Sequence, residues 1–256
     1  MQGTGLSSLP QEALWRVTAL LHCRSQDSEE VQAQIAGQLV PAIRNAVAGE
    51  ERLVRMVVDR APDGLSPEAA RLFPPLFDAM IEFWFEDADD AGAVMAGIAG
   101  DLAVRSAAEA AIDDERSILW LAQAFPIKRE EGRSRVKFLA GGDAAEGWNV
   151  GEAQRYWRDV HPDVARKAPT VWEPLTRYVQ FHGRDIPAGA SATPLGRWRQ
   201  VPMCAEMGFA DDRDFVANYS SEEYRRVVRP DEEKFSRPGE MLAFVSGEER
   251  VVAARG

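Results

Sequence analysis

The chain repeats itself, and that constrains its fold more than any other feature. WRVTALL at 15–21 is echoed by SRVKFLA at 134–140: in both, an arginine precedes a valine and apolar residues follow at the density of a half-buried strand. FWFEDADD at 83–90 is echoed by MGFADDRD at 207–214, where a strand-like run ends in phenylalanine and meets acids. SILWLAQAFP at 117–126 and EMLAFVSGE at 240–248 form a weaker third pair. The offsets are all about 119 to 124 residues and fall in one order, as expected of an internal duplication.

The acids after each phenylalanine suit a helix start, because carboxylates accept hydrogen bonds from unpaired first-turn amides and meet the positive end of the helix dipole. Each half therefore reads strand, helix, strand, strand, helix, strand, the split βαβ pattern of a ferredoxin-like unit. The expected fold is α+β, with two βαββαβ repeats at 1–128 and 129–256 joined near IKREEG at 127–132. One such sheet carries helices on a single face, so the economical partner for its other face is the second sheet. The two would form a dimeric-type α/β barrel within one chain, with a cavity for a small apolar ligand between the sheets.

Two long segments, 61–78 and 182–202, separate the second and third strands of each half and are rich in Gly, Pro and Ala. Their equivalent positions are another sign of duplication, and long loops of this kind are more often functional than structurally required.

Composition narrows the partners. With 45% apolar and 28% charged residues the chain is globular rather than disordered. A net charge of -11 without a run of Lys and Arg argues against nucleic acid. No basic segment precedes an apolar run and no apolar stretch reaches about 18 residues, so a membrane is not expected and the cytoplasm is the expected compartment. Cys23 and Cys204 stand alone, and neither a CxxC nor an HExxH occurs, so no metal and no cofactor are expected. AGG at 140–142 lacks the GxGxxG arrangement, GASATPLG at 189–196 is a loop rather than a GxSxG elbow, and EDADD and PDEEK read as solvated helix ends. Trp84, Trp120, Trp148, Trp172 and Trp198 read as fillers of core or cavity walls.

The residues with most chemistry lie between 149 and 183. In the helix beginning near Val150, Ala153, Trp157, Val160 and Val164 share one side, and His161 stands one turn after Trp157. Pro162 follows at once, restricting His161 toward an extended conformation and kinking or ending the helix there. His161 then either points into a cavity or caps helix-end carbonyls. In RYVQFH, alternation puts Tyr178, Gln180 and His182 on one strand face and Arg177, Val179 and Phe181 on the other. If the first of these faces lines the barrel, it forms a polar stripe inside the cavity; otherwise His182 is an exposed strand-end residue. His22 closes the first strand, and its expected role is structural or incidental.

QRYWRDVHPDVARKAP, followed by LTRYVQFH, resembles the EthD family, in which an aromatic residue, a histidine four positions later and a strand ending in an R-Y-x-Q-x-H-like segment recur. The matching residues are Trp157, His161, Arg177, Tyr178, Gln180 and His182 over about 137–246. The resemblance implies the dimeric α/β-barrel group, whose members usually build the barrel from two chains; here the pair looks fused, and a homodimer of the fused chain stays compatible. The first half lacks a tryptophan–histidine pair, so one site, in the second half, is expected.

An imidazole titrates near neutral pH and a tyrosine hydroxyl both donates and accepts. The leading expectation is therefore a cofactor-independent enzyme of lyase or isomerase type, performing proton transfer on an aromatic or carbonyl-containing apolar substrate. His161 would be its acid or base, helped by His182, Tyr178 and Tyr156, with Trp157, Gln180, Trp172 and Arg177 binding substrate. Two rivals stay open: a non-catalytic small-molecule binding protein and a haem-binding barrel.

Overall fold

The strands form where alternation lets each residue choose between two apolar layers. The computed structural model describes residues 14–254 except 26, 61–64, 75, 188–189, 191–192 and 238–241. Its strands are β1 Trp15–Leu21, β2 Leu53–Arg60, β3 Ala79–Phe85, β4 Ile118–Lys128, β5 Val136–Gly142, β6 Leu175–Gly183, β7 Arg197–Trp198, β8 Met203–Phe209, β9 Leu242–Ser246 and β10 Glu248–Ala254. They pair in the order β10-β2-β3-β1-β4-β6-β8-β5-β9, with β7 added in parallel to β4. Gly247 alone separates β9 from β10, so one segment carries both ends of this order. The fold is α+β, with an antiparallel sheet that curls as in dimeric α/β barrels. β7 and β10 fall where the sequence pattern signals no strand.

The helices are α1 Ser28–Gln34, α2 Val40–Ala46, α3 Pro67–Leu72, α4 Ala88–Gly100, α5 Leu102–Ala111, α6 Val150–Asp159, α7 His161–Ala165, α8 Pro169–Trp172, α9 Asp212–Ser220 and α10 Arg229–Phe235. π-helical turns at Ile35–Leu39 and Tyr224–Val228 run into α2 and α10. The acids after each phenylalanine do cap: the Asp87 carboxylate accepts from the Asp89 amide, and that of Asp211 from the amides of Arg213 and Asp214.

Register places the two segments in parallel terms. Leu53 pairs with Phe85 and Arg55 with Trp84, with a bulge between them; Leu175 pairs with Phe209 and Arg177 with Gly208, again across a bulge. The long insertions also cross over. Phe73, after α3, packs on Phe138, Phe215 and Tyr219 of the C-terminal part, and the Ser66 amide donates to Asp212. In return, Leu195 buries with Ile112 and Leu119, and the Arg197 amide donates to the Ser117 carbonyl.

The inside of the curl departs from expectation. Instead of an apolar cavity it holds Trp84, Trp120, Leu139, Phe181 and Phe244, threaded by buried Arg16, Arg55, Asp59, Glu82, Lys137, Arg177 and Glu206. The strand faces are the reverse of the cavity-lining option for β6. Arg177, Val179 and Phe181 point inward, while Tyr178, Gln180 and His182 face the helices. Apolar side chains large enough to close the middle of the inner layer occupy alternate positions of several strands.

Candidate functional site

A ligand-sized space lies between the sheet face of β5, β6 and β8 and the layer made by α7, the Tyr224–Val228 turn and α10. Its volume is about 130 Å³, and its walls include Phe138, Trp157, His161, Tyr178, Asn218 and Tyr224. That volume approaches that of an apolar cavity able to take a benzene-sized guest, about 150 Å³. Charged residues, among them Arg229, Glu232 and Glu233, stand in the same lining.

The helix break that delivers His161 comes one residue earlier than expected. α6 ends at Asp159, Val160 caps it, and His161 is itself helical, the first residue of α7, with Pro162 in the turn where a missing amide costs nothing. Rather than capping carbonyls, His161 Nδ1 lies 2.9 Å from Asp231 Oδ2, and both side chains are buried. Asp231 Oδ1 also accepts from the Tyr156 hydroxyl at 2.7 Å and from Lys234 Nζ at 2.9 Å. Burial disfavours the charged carboxylate, but the bonds from His161, Lys234 and Tyr156 win and hold it well below the usual carboxylate range. An ionised Asp231 requires a proton on Nδ1, which turns Nε2 away from the carboxylate. Nε2 has no hydrogen-bond partner among the described residues, on a side chain that lines the cleft.

Of the residues singled out in the sequence, Trp157, His161 and Tyr178 come together on this cleft. Trp157 Nε1 donates to the Tyr178 hydroxyl at 2.8 Å. His182 and Gln180 lie behind that wall: His182 stacks on Trp157 at 5.3 Å and meets the Gln180 side chain at 3.2 Å. Burial, then the charges of Arg158 and Arg184, push the His182 pKa down to about 3, so at neutral pH it is a packed neutral ring. Tyr156 reaches the cleft only through Asp231. Trp172 is elsewhere, its ring under the charges of Arg166 and Lys128, and Arg177 binds Glu206 inside the barrel at 3.1 Å. His22 packs against Phe77, 4.6 Å between ring centres.

Asp231 and Glu232 correct the reading of PDEEK as a solvated helix end. Val228, Asp231 and Phe235 are spaced by three and four, and all three are buried. That spacing was the available signal, masked by the neighbouring exposed acids. Burial raises the Glu232 pKa, against the pull of the His161 charge and the Tyr224 hydroxyl, which donates to it at 2.9 Å. Tyr224 reaches the cleft from a π-helical turn, an irregularity frequent at functional sites. Among the described residues, no group of three or more His, Cys, Asp and Glu side chains could hold a metal ion, and no helix is long and apolar enough to cross a membrane.

Residues 145–239, which carry most of this cleft, match the EthD domain family. The fold as a whole resembles the crystal structure of an anthrone oxidase-like protein, at 11% identity and a TM-score of 0.61, over 96% of this chain and 94% of that one. The chain shares the fold of that protein, and its similarity to the EthD family is confined to the C-terminal part. Two further barrels of like fold are a provisionally assigned chlorite dismutase and a provisionally assigned monooxygenase from Fusobacterium nucleatum subsp. nucleatum. They show 9% and 7% identity, each with a TM-score of 0.50 over 95% of this chain and 96% of theirs. No curated protein matches the chain.

These comparisons correct the expected chemistry. The structures that share this barrel carry oxidoreductase names, and the expectation of a cofactor-independent lyase or isomerase is withdrawn.

Proposed function

We propose that this barrel is an oxidoreductase-type protein that holds a small aromatic molecule in the C-terminal cleft. The carrying observation is the His161–Asp231 pair: a buried carboxylate fixes the imidazole so that an unpartnered Nε2 stands on an aromatic-walled pocket beside Trp157 and Tyr178. The oxidoreductase part draws its support from the names of the fold relatives, above all the anthrone oxidase-like protein. We read the two halves, 1–128 and 129–256, as ferredoxin-like repeats. The paired bulges before Arg55 and Arg177 and the matching strand orders support this.

Haem does not fit this cleft. An imidazole backed by a carboxylate is the right kind of axial ligand. The cleft volume of about 130 Å³ suits one aromatic ring, however, and a four-pyrrole macrocycle is several times larger.

The test is calorimetric titration of the protein and of its Trp157→Ala variant with phenol and 4-ethylphenol, with dissolved oxygen followed in parallel using hydroquinone, a single-ring reductant. Saturable binding that the variant loses, with oxygen uptake above the spontaneous rate, is the expected result. Binding without uptake would leave a small-molecule binding protein, and no binding would remove the site.

A further inference from the structure

The hydrogen bonds behind the cleft wall fix where each proton points. The main-chain carbonyl of Trp157 lies 2.8 Å from Gln180 Nε2. A carbonyl only accepts, so the amide nitrogen must face it; the inverted amide would press two oxygens together. Gln180 Oε1 then faces His182 Nε2 at 3.2 Å, which places the imidazole proton on Nε2. The second Gln180 amide proton reaches the Tyr178 oxygen at 3.1 Å, and the indole N–H of Trp157, which can only donate, reaches the same oxygen at 2.8 Å.

The Tyr178 oxygen therefore accepts twice. Its own proton has no acceptor among the described residues, and the side chain lines the cleft. We propose that Tyr178 is a ligand-facing hydrogen-bond donor, and that the cleft selects an aromatic molecule bearing a carbonyl oxygen, a ketone, aldehyde or quinone. This rests on the reading of the cleft as an aromatic-molecule site. With both acceptor positions of Tyr178 filled, a donor-only ligand N–H aimed there meets a proton and is left unpaired in a buried setting, and a ligand hydroxyl must send its own proton elsewhere. A proton-free carbonyl suffers no such loss. Trp157 and Gln180 position that donor, and His182 positions Gln180, so the stacked imidazole acts through two intervening groups without touching ligand.

The experiment compares 4-hydroxyacetophenone with 4-ethylphenol, which keeps the ring and hydroxyl but lacks the carbonyl. Affinities come from calorimetry and the bound carbonyl stretch from infrared difference spectra. In the unaltered protein the carbonyl band should shift to lower wavenumber. Tyr178→Phe should weaken the ketone by about three- to tenfold, the worth of one neutral hydrogen bond. It should restore the band and weaken 4-ethylphenol less than the ketone. His182→Phe keeps a stacked ring without the N–H and should return the band part of the way, with a smaller effect on 4-ethylphenol than on the ketone. An unshifted band in the unaltered complex, or equal losses for both probes in Tyr178→Phe, overturns the donor role and leaves the aromatic site standing. Failure of both probes to bind the unaltered protein overturns the site and the donor role together. Should Tyr178→Phe not fold, the band of the unaltered complex decides alone.

Discussion

Glu82 and Glu206 hold one guanidinium between them: Arg16 Nη1 lies 3.2 Å from Glu82 Oε1 and donates to Glu206 Oε2. The two glutamates stand three residues before Phe85 and Phe209, the matched strand ends, so they are partners by position as well as by contact. Lys137 extends the network, 2.8 Å from both Glu82 and Asp59. Burial works against ionising Glu82, yet Lys137, Arg16 and Arg55 together hold its carboxyl well below the usual range. The barrel interior is thus bound by charge where a ligand cavity was expected.

Arg16→Met should show what that network contributes. Removing one partner of a buried ion pair typically costs about 3–5 kcal/mol, because uncompensated charge stays behind. Here two carboxylates lose a common cation, so the upper part of that range is expected in urea unfolding. A loss below about 1 kcal/mol would mean that the glutamates reach water or share a proton in its absence.

Stability should fall as the pH drops from neutral, in two stages. His182 titrates near 6.5 when unfolded and near 3 when folded, so between those values the unfolded chain binds more protons and stability rises with pH. Its contribution is complete above about pH 6.5 and drains away down to about pH 3. Glu82 and Asp231, both depressed in the folded state, keep their contributions above the ordinary carboxylate range and lose them below it. Urea midpoints taken at intervals from pH 8 to 4 should therefore slope downward from about pH 6.5, before Glu82 and Asp231 titrate, with the raised Glu232 carboxyl opposing part of that slope. His182→Phe should flatten that first part and leave the carboxylate part intact.

Much of this fold was legible because strand and cap signals are local. The alternation in WRVTALL and RYVQFH, and the acids after Phe85 and Phe209, specify elements whatever surrounds them. The inward face of β6 was not legible. Phe181 and Tyr178 are equally able to fill a core, and only packing against Trp84 or Trp157 decides between them. Trp157, His161 and Tyr178 could be picked out, since one helix turn and one strand bring them near each other. Asp231 could not, being 70 residues from His161 and hidden among acids that are exposed.

Asp231 should separate positioning from bulk stability. Asp231→Ala strands His161 Nδ1, the Tyr156 hydroxyl and Lys234 Nζ, and should cost about 1–3 kcal/mol for the buried donors left without acceptors. Asp231→Asn retains one acceptor oxygen and should recover part of this in urea unfolding. Both should weaken 4-ethylphenol binding, because neither fixes the imidazole through Nδ1 as the ionised carboxylate does. Full affinity in Asp231→Ala would show that His161 is oriented by Phe235, whose ring meets it edge-on at 5.2 Å, rather than by the carboxylate.

The two cysteines should report unfolding and nothing earlier. Cys23 and Cys204 are buried, and burial pushes both thiols up to about 12, Asp78 adding to the effect at Cys23. At pH 8 the thiolate, the reacting form, is then roughly one part in ten thousand of each. A chromogenic disulfide reagent should find no fast thiol in the native protein and two after denaturation, and slow labelling should follow the global opening rate. Asp78→Asn probes the cause, since Asp78 also accepts the Cys23 amide at 2.7 Å. Removing its charge should speed labelling of Cys23 and leave Cys204 as slow as before. Equal acceleration at both cysteines would mean that the substitution loosened the whole barrel, and that burial alone protects Cys23.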